Sequence, residues 1–319
     1  MKQLIKKVLN RIRTYFVHNL DKNIDNSLMI TGKIAANSLR NINEINRLSD
    51  IGFKVYSQFD EDGILEWLLQ RIPISSRKFV EFGVENYLEA NTRFLIKNRN
   101  WRGLVMDSSS DYVDFIRNDE IYWRHNLTAH CNFVTPHNIN ELLKKYNFTD
   151  KIGVLSIDAG GMDYWIWKAI DAIMPDIVIC EYNAVFGDIY PLVIPYQKEF
   201  ISRNMHSSGL YWGASTKAFE QLAVEKNYIL IGANISGNNL FFVRKELSVY
   251  LDQLIKNKNS IPSQFRDSRS SKGELTYVGG IERFETIKHL SVINLNTNAE
   301  VTLESMGSVY TQEWMDSML

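Results

Sequence analysis

Two aspartates and two glycines stand together in the segment DAGGMD, residues 158–163, directly after the apolar run IGVLSI. A carboxylate can accept a proton, orient a hydroxyl group or bind a hard divalent cation. The segment ends a predicted buried strand and opens a predicted helix. We therefore expect Asp158 at the lip of a cleft as a candidate base, with Asp163 beside it as a substrate-binding residue. The simpler alternative is that Asp163 caps the helix and Asp158 bonds backbone amides.

Carboxylates and a glycine also follow the first two predicted strands. Glu81 and Gly83 lie at the end of KFVEFGV, and Asp107 ends RGLVMD. An acid at the end of the second strand can accept hydrogen bonds from the ribose hydroxyls of an adenosine cofactor. Asn86 and Tyr87 replace the later glycines of a GxGxxG turn, which disfavours a pyrophosphate. The pattern favours S-adenosylmethionine over NAD(P) or no cofactor; a helix cap or loop aspartate is the alternative for Asp107.

A third group of polar residues follows the predicted strand DIVICEYN, which supplies Glu181 and Asn183. Together with the aspartates of DAGGMD they suffice for Mg²⁺ or Mn²⁺, with Asp158 and Glu181 as the candidate ligands. They suffice equally for a metal-free site. The candidate general bases are Asp158, Glu181 and His206, the last lying in the long connection RNMHSSGLYWGAS.

The elements that must position these residues are short apolar runs alternating with helical segments. This alternation predicts an α/β fold with a mostly parallel, Rossmann-like sheet, closed by an antiparallel hairpin because only ISGNN joins the last two strands. Ligands bind such sheets beyond the carboxyl ends of the strands. The predicted strands are 78–84, 102–107, 121–127, 152–158, 176–183, 228–234 and 240–245. The predicted helices include 88–98, 111–118, 137–146, 163–173 and 213–226, after an amphipathic helix within YSQFDEDGILEWLLQRI.

The composition is that of a globular protein without a dominant charge. Lys and Arg (36) nearly balance Asp and Glu (37), so no global field argues for a nucleic-acid partner. Two cysteines give neither a disulfide framework nor metal-ligand spacing, which favours a reduced, cytoplasmic location. No apolar run has the length of a transmembrane helix, so no transmembrane segment is expected.

The amino-terminal 52 residues differ in character from the remainder. We expect a helical extension over 1–52, with two helices around a polar break at DKNIDNS, and one catalytic domain over 53–319. The segment KQLIKKVLNRIRTYF alternates basic and apolar residues at helical spacing. Such a helix packs on the body, joins two copies in a homodimer, or lies on an anionic membrane.

Seven blocks of the sequence, in order, resemble FkbM-type S-adenosylmethionine-dependent methyltransferases of bacteria. The blocks are YSQFDEDGI, FVEFGVENYLEANTRFL, WRGLVMD, SIDAGGMDYWIW, IVICEYN, LYWGAS and GNNLFFVRK. The resemblance runs from about Phe53 to Lys245, and more loosely to FRDSR and LTYVGG. It implies an O-methyltransferase acting on a sugar of capsule or lipopolysaccharide, with a sugar or nucleotide-sugar acceptor.

The resemblance also implies roles for particular residues. Gln58 and Asp62 would line the methionine end of the cofactor, Glu81 and Gly83 would form the main cofactor turn, and Asp107 would hold the ribose. The segment HNLTAH, with Asn126, would approach the adenine.

Several aromatic residues follow the strands that the resemblance places at the acceptor side. Tyr182, Tyr211 and Trp212 can stack on a sugar ring, with core packing as the alternative. Trp165 and Trp167 stand at helical spacing and are predicted to be core residues.

The chain departs from the family pattern at Gly160 and Met162, where that branch has an acid and an amide. This departure motivates an alternative, a methyltransferase fold that has lost catalysis and serves as a binding or scaffold subunit of glycan assembly. A third hypothesis, an NAD-dependent sugar enzyme, is disfavoured by the glycine-poor first turn.

Overall fold

The computed structural model describes residue 20 and residues 22–318. The basic amphipathic segment predicted at residues 2–16 lies outside this range. Residues 22–38 form one helix, α1, so the predicted break at DKNIDNS is wrong from residue 22 onward. The segment DKNIDNS holds no Gly or Pro, and Asn, Asp and Ser lower helix propensity only modestly. The hydroxyls of Ser27 and Thr31 donate to the carbonyls one turn earlier and stay compatible with the helix.

A seven-stranded sheet forms the centre of the molecule, in the order β3-β2-β1-β4-β5-β8-β7. All neighbouring pairs are parallel except those of β8, which runs antiparallel to both β5 and β7. The predicted Rossmann-like sheet with a closing hairpin is therefore confirmed. Its strands are β1 (Lys78–Phe82), β2 (Arg102–Asp107), β3 (Leu127–Cys131), β4 (Asp150–Ile157), β5 (Ile173–Glu181), β7 (Tyr228–Ala233) and β8 (Asn239–Arg244).

A second, three-stranded antiparallel sheet, which the sequence did not indicate, has the order β10-β9-β6. It joins the chain after β5 to the carboxyl-terminal region through β6 (Leu192–Val193), β9 (Ser291–Asn294) and β10 (Ala299–Thr302). The remaining helices are α2 (Glu61–Leu69), α3 (Arg93–Arg99), α4 (Ser110–Asn118), α5 (Glu120–Arg124), α6 (Ile139–Lys145), α7 (Asp163–Ala169), α8 (Ser202–Met205), α9 (Thr216–Glu225), α10 (Lys245–Ser248), α11 (Gly280–Ile287) and α12 (Gln312–Ser317). No helix in the described part of the chain has the length and apolar character of a membrane span.

The two faces of the large sheet are covered by separate apolar layers, because successive side chains of a strand point to opposite faces. On β1, Val80 and Phe82 join the layer that contains α6, α7 and α9. Phe79 joins the opposite layer with α2, α3 and α4. Residues between α1 and α2, including Leu48, are buried in this second layer. The sheet is thus fixed on both faces, and its carboxyl edge is left to the loops.

Two predicted elements are wrong in ways that matter for the site. The predicted strand 121–127 is largely the helix α5, because the Asp119 side chain accepts a hydrogen bond from the Ile121 amide and caps it. The strand begins only at Leu127. The helix α2 is buried around its whole circumference instead of being amphipathic. Its buried Glu66 is paired with Arg99, at 2.8 Å.

Candidate functional site

Three cavities lie in a row along the carboxyl edge of the large sheet. The β2–β4 cavity, of about 310 Å³, is lined by residues that follow β2, β3 and β4. The β1 cavity, of about 320 Å³, is lined by the loop after β1 together with Gln58. The β5 cavity, of about 180 Å³, is lined by residues after β5 and by part of the carboxyl-terminal region. Gly83, Asp107 and Asp158 line both of the first two cavities, and Gly160 lines both the first and the third.

Asp107, at the end of β2, lies at the junction of the β1 and β2–β4 cavities. Its two carboxylate oxygens accept hydrogen bonds from the backbone amides of Glu85 and Ser109, each at 2.8 Å. Each oxygen can accept a further bond, since a carboxylate has about four acceptor positions. The side chain is therefore held in place by the protein and can still bind a pair of hydroxyl groups.

Gly83 allows the turns after β1 and β4 to touch. Its φ is +70°, and a Cβ there would lie 1.7 Å from the backbone oxygen of Asp158. Both its backbone conformation and the approach of Asp158 require glycine. The contact brings Asp158 beside Asp107 in the walls of the same two cavities.

Glu81 lies in the wall of the β1 cavity, but its carboxylate is already engaged by the loop that follows. It accepts hydrogen bonds from the amides of Asn91 and Thr92 and from the Thr92 hydroxyl. Burial raises its pKa to about 7 in spite of these bonds. The Glu81 side chain thus fixes the loop that follows β1 around the cavity, and few of its acceptor positions remain for a ligand.

Two residues that the resemblance assigned to the cofactor lie elsewhere. Asp62 is buried and lines none of the three cavities; one of its oxygens accepts from the amides of residues 55–57. It shapes the turn that carries Gln58 into the β1 cavity. Asn126 precedes β3, where its carbonyl accepts from the Gly103 amide at the opposite edge of the sheet. The misplaced strand explains this error: Asn132 and Phe133 follow β3 and line the β2–β4 cavity.

Asp158 is exposed inside the cleft. The surrounding protein desolvates its carboxyl group, and the charges of Glu85 and Asp107 repel it, so its pKa is raised to about 6. A bond from the Gly160 amide opposes the shift. A carboxylate with a pKa slightly below neutral suits general-base chemistry.

Asp163, in contrast, is fully buried and lines none of these cavities, so the structure gives its assignment to the substrate no support. Its carboxyl group accepts hydrogen bonds from the amides of Ala159 and Gly161, at 3.3 and 3.1 Å. Burial and the nearby Asp158 raise its pKa to about 8. Asp163 therefore stabilises the turn through these two bonds. Gly160 lies at the tip of the turn with a φ of +60°, and a Cβ added there would have no atom within 4 Å.

Most of the aromatic and amide residues predicted at the acceptor side are also structural. The Tyr182 hydroxyl donates to the Ile261 carbonyl, and the Tyr211 hydroxyl donates to the Ser291 carbonyl. Both side chains are buried; Tyr211 lines none of the three cavities, whereas Tyr182 forms part of the wall of the β5 cavity. Asn183, also predicted as a substrate residue, is buried in the same wall and donates to the carbonyls of Leu210 and Trp212.

Trp212 is the predicted stacking residue that retains access, because it is only half-buried and lines the β5 cavity. The predicted core positions on α7 differ between themselves. Trp167 is buried, whereas Trp165 is partly exposed and donates to the Ile194 carbonyl.

The two other candidate bases have different surroundings. Glu181 is half-buried and lines the β5 cavity; desolvation and the charges of Asp158 and Asp163 raise its pKa well above the usual value. His206 lies against His289 and Ser208 and lines none of the three cavities, so the geometry gives its assignment as base no support and the assignment stays a prediction. Burial and His289 lower its pKa.

The expectation of a metal finds no support in the geometry. Among the residues that the structure describes, no group of three or more His, Cys, Asp or Glu side chains is arranged to hold an ion. The polar groups of Asp163 and Asn183 are used by the backbone, which leaves Asp158 and Glu181 in neighbouring cavities.

Several cavity residues could not be anticipated from motifs. Tyr196, Lys198 and Phe200, from the connection between β6 and α8, form one wall of the β2–β4 cavity. Asn238, in the turn before β8, and Arg283, on α11, also line the β5 cavity. Only Asn238 carried a signal, since it lies in the predicted hairpin.

The position of β8, antiparallel between β5 and β7, gives the chain the Rossmann-like fold of S-adenosylmethionine-dependent methyltransferases. No protein-family profile matches the chain, and no curated protein sequence matches it.

Solved structures of this fold align with the chain at low identity. An S-adenosylmethionine-dependent methyltransferase from Clostridium acetobutylicum aligns at 9% identity over 58% of this chain and 90% of its own, with a TM-score of 0.36. An O-methyltransferase from Bacillus cereus in complex with SAH aligns at 12% over 68% and 91%, with a TM-score of 0.37. The SAH-bound amino-terminal domain of EvdMO1 aligns at 11% over 66% and 94%, with a TM-score of 0.38.

Proposed function

We propose that the protein is an S-adenosylmethionine-dependent O-methyltransferase of the FkbM type, and that it methylates a hydroxyl group of a sugar used in capsule or lipopolysaccharide. The observation that carries the proposal is the position of Asp107. It ends β2 at the junction of two cavities, with both oxygens oriented by backbone amides and with acceptor positions to spare.

The residues present fit an adenosine cofactor. Asp107 would accept hydrogen bonds from the two ribose hydroxyls. The β2–β4 cavity has apolar walls for an adenine ring from Met106, Phe133, Val134 and Met162. The β1 cavity, which contains Gln58 and Glu81, would hold the methionine end. The first two cavities have the volume typical of small-molecule sites, ~300–1,000 Å³.

S-adenosylmethionine would supply an electrophilic methyl group on a sulfonium centre. The protein must then align the acceptor hydroxyl and remove its proton. Asp158 fits this role because it is accessible in the cleft and, with a pKa of about 6, is largely ionised at neutral pH. The Asp158 carboxylate would take up the proton of the acceptor hydroxyl as its oxygen gains the methyl group from the sulfonium sulfur, which leaves S-adenosylhomocysteine as the second product.

The acceptor would occupy the β5 cavity, which meets the β2–β4 cavity at Gly160. The missing side chain at Gly160 leaves the passage between the two cavities open. Trp212 offers an accessible aromatic face, and Asn238 and Glu181 offer polar groups suited to hydroxyls. The family blocks in the sequence support a sugar as the acceptor class.

Calorimetric titration with S-adenosylmethionine and S-adenosylhomocysteine tests the cofactor assignment. We expect micromolar binding, about −8 kcal/mol. Asp107→Asn places an amide group against the donors of Glu85 and Ser109 and removes the charge, so we expect a loss of ~30-fold or more. Asp111→Asn, at an exposed position of α4, is the matched control and should bind like the wild type.

Methyl transfer is then tested by mass spectrometry with nucleotide sugars and free sugars as acceptors. A mass increase of one methylene unit on the acceptor, dependent on Asp158, supports the proposal. Absence of binding to both cofactor forms would overturn it.

A further inference from the structure

We propose that the β5 cavity recognises an anionic group of the acceptor, a phosphate or a carboxylate, through the buried guanidinium of Arg283. The inference rests on the proposed function, since it names the class of acceptor for the same cleft. Its evidence is separate, because it depends on the charges of the β5 cavity and not on the cofactor side.

Arg283 enters the cavity from α11. Its side chain is more than nine-tenths buried, with 7% of the residue exposed. It lines the β5 cavity and also a small cavity of about 40 Å³ next to it. One terminal nitrogen donates to the Phe265 carbonyl at 2.6 Å, whereas Nε has no hydrogen-bond partner in the described part of the chain.

No salt bridge balances the charge of Arg283 among the residues that the structure describes, although the charge of Asp267 acts on it from a longer distance. No carboxylate among them lies within 4.0 Å of its guanidinium, whereas the buried Arg93 and Arg244 are each paired with an acid. Burial lowers the pKa of Arg283, which shows that the protein desolvates the cation. A buried charge without a partner is costly, so its presence in a cavity wall indicates that a ligand supplies the partner.

The acidic residue Asp267, which acts on Arg283 from beyond salt-bridge distance, is already shared with other arginines. Asp267 also lines the β5 cavity, and its two oxygens lie 3.8 Å from Arg203 and 3.6 Å from Arg269. The other acid of the cavity, Glu181, has a raised pKa and is therefore less often charged. Of the described residues that line the cavity, Arg283 is thus the cation, and neither of the two acids is paired with it.

An oxyanion suits this arrangement chemically. The planar guanidinium presents parallel N–H donors that match the two oxygens of a phosphate or carboxylate. Arg283 and Gly160 line the same cavity, so a sugar whose anionic substituent meets Arg283 would extend towards the passage to the cofactor side. A sugar phosphate, as in a nucleotide-linked sugar, and a uronic acid both have this chemistry.

The experiment measures binding of glucose 1-phosphate, glucuronate and glucose to the full chain, by calorimetric titration in the presence of S-adenosylhomocysteine. We expect at least ~10-fold tighter binding of an anionic sugar than of glucose. A preference for glucose 1-phosphate assigns the anion to a phosphate, and a preference for glucuronate assigns it to a carboxylate. Equal binding of all three probes overturns the proposal, even if S-adenosylhomocysteine binds normally.

Variants of Arg283 separate binding from folding. Arg283→Met should lose the preference for the anionic sugar, a fall of ~10-fold or more in the ratio of the two affinities, while the Tm stays near that of the wild type, because an apolar residue relieves the buried charge. Arg283→Lys should keep part of the preference. Arg124→Gln, at the exposed end of α5, is the control and should leave both readouts unchanged.

A purely structural role of Arg283 would give a different pattern. Arg283→Met would then lower the Tm strongly, and well-folded Arg283→Lys protein would bind glucose and glucose 1-phosphate in the same ratio as the wild type. Retention of the anion preference in Arg283→Met would equally overturn the inference.

Discussion

The two halves of the cleft differ in how the chain builds them. The proposed cofactor half, which comprises the β1 and β2–β4 cavities, takes its central residues from the ends of strands and the turns that directly follow them, namely Gly83, Asp107 and Asp158. The proposed acceptor half, the β5 cavity, combines residues after β5 with residues of the region 263–283. The first half depends on the order of the strands, whereas the second depends on contacts between distant parts of the chain.

The difference is visible in what the polar side chains do. Asp107 and Asp158 face the cleft, because the ends of parallel strands meet at one edge of the sheet. In the acceptor half, the hydroxyls of Tyr182 and Tyr211 bond carbonyls that lie 79 and 80 positions away in the sequence. Residues that resemble a binding surface in the sequence are thus covered by the carboxyl-terminal region.

The largest expected effect is a loss of stability where the turns after β1 and β4 touch. Gly83→Ala introduces a Cβ 1.7 Å from the Asp158 carbonyl oxygen at a φ of +70°. The backbone conformation costs about 1–2 kcal/mol and the displacement of the turn about 1–3 kcal/mol more. Urea unfolding should show a loss of about 3 kcal/mol, and calorimetry should show weakened binding of S-adenosylhomocysteine.

Gly160→Ala is the matched comparison for this variant. Gly160 also has a positive φ, +60°, but no atom within 4 Å of the place of its Cβ. Its loss of stability should therefore be limited to the backbone cost, about 1 kcal/mol. Equal destabilisation by the two substitutions would show that the turns after β1 and β4 do not touch as described.

An effect of intermediate size is expected at Asp163, which supports the turn between the two halves. It is a dependence of the stability on pH. The pKa of Asp163 is raised to about 8 in the folded protein, above the model-compound value of 3.8. Between these values the folded state binds more protons than the unfolded state, so the contribution of Asp163 to stability is lost as the pH rises to 8. Between pH 5 and pH 8 the free energy of unfolding should therefore fall less steeply for Asp163→Asn than for the wild type. The two slopes should differ by up to about 1.4 kcal/mol per pH unit.

Denaturant unfolding at several pH values measures this difference. Asp171→Asn, at an exposed position after α7, should give a curve parallel to that of the wild type. If the curve of Asp163→Asn is also parallel to that of the wild type, the Asp163 carboxyl group is ionised in the folded wild-type protein, contrary to the expected protonation.

The smallest effect tests the structural role of the buried aromatics. Tyr211→Phe removes the hydroxyl that donates to the Ser291 carbonyl and leaves that carbonyl unsatisfied, so we expect a loss of about 1 kcal/mol in stability. Acceptor binding should be unchanged. Tyr250→Phe, at a half-exposed tyrosine, is the control and should be neutral. If Tyr211→Phe loses sugar binding without a loss of stability, Tyr211 contacts the acceptor and its role is not purely structural.

Most strands of the large sheet could be predicted from the sequence, and the strand that was misplaced has a physical explanation. The strand β2 was predicted at its observed bounds, because its apolar run is bounded by turn residues. The strand β3 was misplaced because its aromatic and β-branched neighbours favour a strand by propensity, whereas the Asp119 cap makes them a helix. Because the strand was placed too early, Asn126 was expected beyond its end, whereas Asn132 and Phe133 follow the observed strand and line the β2–β4 cavity.

The sequence by itself determined the alternation of strands and helices, the closing hairpin, and the acids and glycines at the strand ends. These features are local, since hydrophobic periodicity and turn chemistry act over a few residues. Only the tertiary structure decided which polar groups remain available. Asp62, Asp163 and Tyr211 satisfy buried amides or carbonyls, whereas Asp107, Asp158 and Arg283 face cavities. That distinction depends on which distant segments cover each side chain, because a buried polar group must be bonded wherever the chain provides a partner.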